Sequence, residues 1–192
     1  MTQFVALDPS VEVNGQTILS VIEGMKSKWI ALDILKRSGI DDPKPGEWYS
    51  QQKWLNAFKE IAEKVGDLTL NMIGKKIPEK ADWPPAVDNI HKALGSIDIA
   101  YHMNHRKKGV PLFNPQTGSM GEGIGHYKYE SLGERKAKVT CDNPYPCSFD
   151  KGLIEAAANK FKPANTLVRV DHDESVSCRK KGKSICAYTV SW

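Results

Sequence analysis

The spacing of apolar residues changes once along this chain, and that change sets its fold class. Up to about residue 110, apolar side chains recur at intervals of three and four, the period of amphipathic helices. Beyond it, Gly109, Gly118, Gly121, Gly123 and Gly125 break the period, and short alternating runs of the kind that form strands take over. A helical half followed by an alternating half predicts an α+β fold in which the helical N-terminal half packs on a small antiparallel sheet.

The helical stripes are specific. Met25, Trp29, Leu32 and Leu35 define a first helix stopped at Gly39, and Trp54, Phe58, Ile61 and Val65 a second over about 50–65. A shorter helical stretch at 68–73 precedes a loop with Pro78. Pro84 and Pro85 then open a third helix faced by Val87, Ile90, Leu94, Ile97 and Tyr101. In the second half, 127–131 and 137–141 read as a hairpin turning near Gly133. Ser148 caps a helix with Phe149, Leu153, Ala157 and Phe161 on one face, and strands follow around Val168 and Val170 and over 184–192. At 192 residues this makes one domain: an arm at 1–24, a helical part at 25–110, and an α/β part at 111–192.

Composition excludes several classes. With 40% hydrophobic and 26% charged residues the chain is neither disordered nor fibrous. The net charge of +4 comes from 27 basic residues interspersed with 23 acidic ones, so no nucleic-acid partner is implied. No apolar run is long enough to span a bilayer, and Met1-Thr2-Gln3-Phe4 does not begin a basic and then apolar leader; a cytoplasmic location is expected.

All four cysteines, Cys141, Cys147, Cys178 and Cys186, fall in the last quarter of the chain. Cys178 and Cys186 are symmetrical about Gly182, so a hairpin turning there would set them opposite one another; Cys141 and Cys147 bracket a loop stiffened by Pro144 and Pro146. Four thiolates in tetrahedral array suit zinc, and a reducing compartment favours metal over disulfides. Four buried thiols that merely pack are the alternative.

The run Phe149-Asp150-Lys151-Gly152-Leu153-Ile154-Glu155, followed by Cys178, Gly182 and Cys186-Ala187-Tyr188-Thr189-Val190, resembles the 4-vinyl reductase domain family over about 125–192. The resemblance implies a TRAPP-like α+β fold, a largely apolar or aromatic ligand, homodimerisation through the arm and first helix, and a structural zinc. The zinc would be held by Cys178, Cys186, an upstream cysteine and an acidic residue near Ser175 or Glu174, or by all four cysteines. It implies a stand-alone module that signals through a protein effector or its own dimer.

That family also has a likeness to haem nitric-oxide-binding domains, in which a helical histidine is the axial ligand. His91, Tyr101, His102 and His105 lie on or at the end of the third helix, with His91 or His102 the candidate ligand, although the Tyr-x-Ser-x-Arg clamp of those proteins is not apparent. Trp83, Tyr101, His91 and His102 are the candidate ligand-binding residues, and Trp54 and Phe58 read as core. The glycine-rich 118–125 segment lacks the Gly-Lys-Ser/Thr ending of a phosphate loop, and no spacing supports a catalytic triad or carboxylate pair. The expectation is a non-enzymatic small-molecule sensor with structural zinc; the alternative is a haem- or tetrapyrrole-binding protein, a gas sensor or an enzyme accessory.

Overall fold

The computed structural model describes residues 3–25, 27–174 and 177–192. Its described residues form five α-helices and two four-stranded antiparallel sheets. The expected α+β class is therefore present, with a second sheet that the periodicity does not announce.

That sheet is assembled from distant pieces. β1 (Val11–Asn14) lies between β2 (Trp48–Ser50) and β3 (His105–Lys107), and β4 (Val110–Pro111) pairs with β3. Val11 and Val13 point inward and Glu12 and Asn14 do not, but four residues of alternation are too few to stand out in a sequence. Asn14 then caps α1 (Gly15–Glu23), its side chain accepting the Gln16 N–H at 2.8 Å. The segment expected as an arm thus supplies a central strand and a packed helix.

α2 (Lys28–Arg37) buries Ala31, Ile34 and Leu35. The expected face is rotated, since Trp29 and Leu32 are 72% and 43% exposed. Gly39 stops this helix at φ 81°, where Ile40 N–H bonds the Leu35 carbonyl and Gly39 N–H that of Lys36, satisfying two free carbonyls.

α3 (Gln51–Lys80) is broken at Gly66, whose φ of 72° is left-handed; the stripe of Trp54, Phe58 and Ile61 before it is wholly buried. After the break the helix runs on through Pro78, which lies inside it rather than in a loop. α4 (Ile90–Met103) starts at its cap Asn89, not at the prolines: Pro84 accepts a turn bond from Val87 N–H.

The second sheet has the order β5 (Tyr127–Gly133), β6 (Lys136–Cys141), β8 (Cys186–Ser191), β7 (Arg169–His172). The β5–β6 hairpin forms as expected, Tyr127 opposite Cys141. α5 (Cys147–Lys160) begins one residue before Ser148 and packs along α3. Around Gly182 the described residues form no hairpin ladder. Arg179–Lys181 form a 3-10 turn, Gly182 takes φ 79°, and the ladder partner of Cys186 is Cys141. One core cluster runs from Val13 to Val190 through both sheets and all five helices. Among the described residues no helix is long and apolar enough to cross a membrane.

Candidate functional site

α1, α3, α4 and α5 line a cavity of about 100 Å³ that is partly open to solvent. Its walls are apolar and aromatic: Thr17 and Val21 from α1, Trp54 and Ile77 from α3, Ile97 and Tyr101 from α4, Phe149 and Leu153 from α5. Trp54 stacks on Phe58 with ring centres 5.0 Å apart, so the core continues directly into the cavity wall. At the edge, Trp83 donates its indole N–H to the Pro78 carbonyl at 2.9 Å and lies under Lys160 Nζ, 6.0 Å from the ring centre.

One imidazole faces this space. His105 is the first residue of β3, directly after the α4 cap Asn104, and is 1% exposed. Its Nδ1 lies 2.8 Å from the Tyr101 carbonyl, which can only accept, so the proton sits on Nδ1. Nε2 carries the lone pair and receives the Tyr145 hydroxyl at 3.2 Å. Burial lowers the pKa of His105 to about 4, which keeps the ring neutral near pH 7.

Behind the cavity wall lies a buried polar core. Tyr127 lines the cavity and donates to Asp150 at 2.6 Å. Arg179 binds the other Asp150 oxygen and also donates to the Asn143 side chain at 2.7 Å and, through Nε, to Cys186 Sγ at 3.4 Å. Burial pushes Asp150 up to about 6, against the pull of Arg179 and Tyr127.

The thiols do not assemble as the four-cysteine set that the sequence suggested. Cys147, Cys178, Cys186 and His172 bring ligand atoms within 4.8 Å of one another, Cys147 Sγ standing 3.1 Å from Cys186 Sγ and 3.7 Å from Cys178 Sγ. Cys141 stands across the ladder from Cys186 and outside this set; burial and the Asp150 charge push its thiol pKa up. His172 takes the fourth place because β7 pairs with β8 and lays it opposite Tyr188, with the rings stacked at 4.6 Å. Of the acidic candidates, Glu174 is exposed and ion-paired with Lys181, and Ser175 lies outside the described residues.

No family model and no curated protein matches the sequence. Solved structures do match over 93% of the chain. An H-NOX protein from S. oneidensis in its Fe(II)NO ligation state is 14% identical, with a TM-score of 0.62 over 98% of its own chain. An oxygen-binding H-NOX domain related to soluble guanylate cyclases, in its oxygen complex, is 15% identical, at 0.60 over 94% of that chain. A structure described as probing heme distortion in the H-NOX family is 16% identical, at 0.64 over 94%. The fold is that of H-NOX domains.

Two expectations change with that fold. The 4-vinyl reductase and TRAPP-like assignment is replaced, because the matched chains are H-NOX domains along nearly their whole length while the sequence resemblance rested on the last third. The four-cysteine zinc site is not supported either: Cys147, Cys178 and Cys186 come together with His172, and Cys141 stays outside the set.

Of the residues expected to bind ligand, Trp83 and Tyr101 line the cavity of the H-NOX fold and His91 and His102 do not. His91 is held at the surface, Nε2 donating to the Glu134 carbonyl at 2.9 Å and Nδ1 accepting from Tyr129 at 2.6 Å. His102 is buried against Asp98. His105 is the residue passed over. Its only sequence signal is the step of four from Tyr101, which continues the Ile97–Tyr101 face one residue past the helix end.

Proposed function

We propose that the chain is a haem-binding sensor module of the H-NOX type, with His105 as the axial ligand. The observation that carries this reading is the His105 geometry: a buried, neutral imidazole facing an apolar cavity, one nitrogen anchored on a backbone carbonyl and the other bearing its lone pair. Anchoring of the far nitrogen by a carbonyl is how metal-bound histidines are oriented. The descriptions of the fold neighbours, which name haem, nitric oxide and oxygen, support the same ligand class.

Bound haem would supply an iron able to take a diatomic gas. The chain's own residues do the rest. Trp54, Ile97, Phe149 and Leu153 would keep water from a bound haem, the Tyr101 carbonyl orients His105, and Lys160 beside Trp83 would offer a cation to a ligand carboxylate. Tyr129 and Ser131 repeat the first two residues of a Tyr-x-Ser-x-Arg clamp, but Gly133 stands in place of the arginine, so the rim charge must come from elsewhere. The signal then passes to a protein effector or a second copy of the chain. The exposed Trp29 and Leu32 on α2 support such a contact.

The experiment is reconstitution with haemin, followed by visible absorption. One haem per chain with a Soret shift is expected; His105→Gly loses the imidazole-ligated spectrum and added imidazole restores it. Failure to bind stoichiometrically, or a His105→Gly spectrum identical to the parent, overturns the reading in favour of an apolar ligand without iron.

A further inference from the structure

A second cluster of ligating side chains lies outside the cavity, where α4 meets the start of β5. Asp98 and His102 are four residues apart on α4 and so share a face. His126 comes from the loop ahead of β5, and the chain there is fixed by two backbone bonds: Tyr127 N–H to Asp98 Oδ1 at 2.9 Å and His126 N–H to Asp142 Oδ1 at 2.5 Å. One ligand atom from each of Asp98, His102 and His126 falls within 4.8 Å of the other two.

The Asp98 carboxylate is central. Its Oδ2 is 2.9 Å from His126 Nδ1, and the two imidazoles stack 4.8 Å apart at 30°. His102 Nδ1 donates to the Asp98 backbone carbonyl at 2.8 Å, so the His102 lone pair lies on Nε2. Beyond His126, Glu122 Oε2 meets Nε2 at 3.2 Å. A carboxylate on the far nitrogen of an imidazole is the arrangement that orients histidine ligands toward metals.

Hydrogen bonding alone leaves part of this unexplained. His102 is fully buried, and its Nε2, the nitrogen that bears the lone pair, has no hydrogen-bond partner among the described residues; burying a polar group on those terms is unfavourable. A cation shared with Asp98 and His126 would give the ring an electrostatic reason to be there. The site is also reachable: the Asp98 and His126 side chains are 16% and 17% exposed, and Glu122, at 83%, stands at the mouth.

We propose that Asp98, His102 and His126 form a mononuclear site for a first-row divalent cation, oriented by Glu122 and separate from both the cavity and the thiol set. Two imidazoles and one carboxylate with open positions are the donors that suit iron(II), cobalt(II) or nickel(II). The site is independent of the haem reading, since His105 and the cavity walls take no part in it.

The test is titration of the full chain with cobalt(II), without added haemin, followed by calorimetry and visible absorption. Binding of one ion without thiolate-to-cobalt charge transfer is expected. Asp98→Asn and His126→Gln should each weaken it at least tenfold, and Glu122→Gln, which removes only the outer carboxylate, by about 10–100-fold. Circular dichroism confirms that the variants fold. Binding seen only with thiolate charge transfer, or an affinity unchanged in folded Asp98→Asn and His126→Gln, overturns the proposal.

Discussion

Tyr127 and Asp150 join the cavity wall to the buried ion pair: the phenol donates to Oδ1 across 2.6 Å while Arg179 holds the other oxygen. Asp150 and Arg179 are both fully buried, so neither charge has water to fall back on. Removing one partner of such a pair destabilises by about 3–5 kcal/mol because the other is left unpaired. Asp150→Ala should therefore lower unfolding free energy in urea by about that much. Tyr127→Phe, which removes only a donor to a charged acceptor, should lower it by about 1.5–3 kcal/mol. A double-mutant cycle that adds the two losses without coupling would disprove the connection.

α3 and α5 approach so closely that two glycines are required. A Cβ on Gly152 would overlap the Asn71 carbonyl oxygen, and one on Gly74 that of Phe149. Neither helix can retreat freely, since Ile77 of α3 and Leu153 of α5 share the cavity wall. Gly152→Ala and Gly74→Ala should each destabilise by about 1–3 kcal/mol. A melting temperature equal to the parent's would show that the contact is looser.

What could be read from the sequence divides along physical lines. The stripe Trp54–Phe58–Ile61 and the hairpin pairing Tyr127 with Cys141 were visible because a local period specifies them. β1 was not, because Val11–Asn14 acquires meaning only when Trp48–Ser50 and His105–Lys107 lie on either side of it. The orientation of α2 was misread for a similar reason: Trp29 and Leu35 both fit a stripe, and only packing decides that Leu35 is inside. Each site residue that was missed sits just past such a long-range event. His105 depends on where α4 stops, and His172 joins the thiols only through β7–β8 pairing.

Within the thiol set, hydrogen bonding from Cys147 holds the Cys186 pKa low and raises that of Cys147, so the shared proton stays on Cys147. Cys186 Sγ also accepts the Arg179 backbone N–H at 3.3 Å and its Nε–H at 3.4 Å. Cys186→Ala would leave these donors buried and unpaired, a loss of about 1.5–3 kcal/mol for hydrogen bonds to a charged group. Denaturant titration checks this. An unchanged midpoint would place a neutral thiol at Cys186.

His105 gives the fold a stability that depends on pH. Its folded pKa is about 4, against the ordinary 6.5, so between those values the unfolded chain binds more protons than the folded one. Its contribution is fully present above about pH 6.5 and is lost as pH falls toward 4, with about 2 kcal/mol gone by pH 5. Asp150 has the opposite sign. Raised to about 6 from 3.8, it contributes stability at low pH that is lost as pH rises between those values, so the two oppose each other across most of the window. Comparing the parent with His105→Leu isolates the imidazole. The variant loses its bonds to Tyr101 and Tyr145 at every pH, but the gap between the two unfolding free energies should narrow by about 2 kcal/mol from pH 7 to pH 5. A gap constant with pH would mean that His105 titrates in the folded chain as it does in the unfolded one, so that burial does not hold the ring neutral.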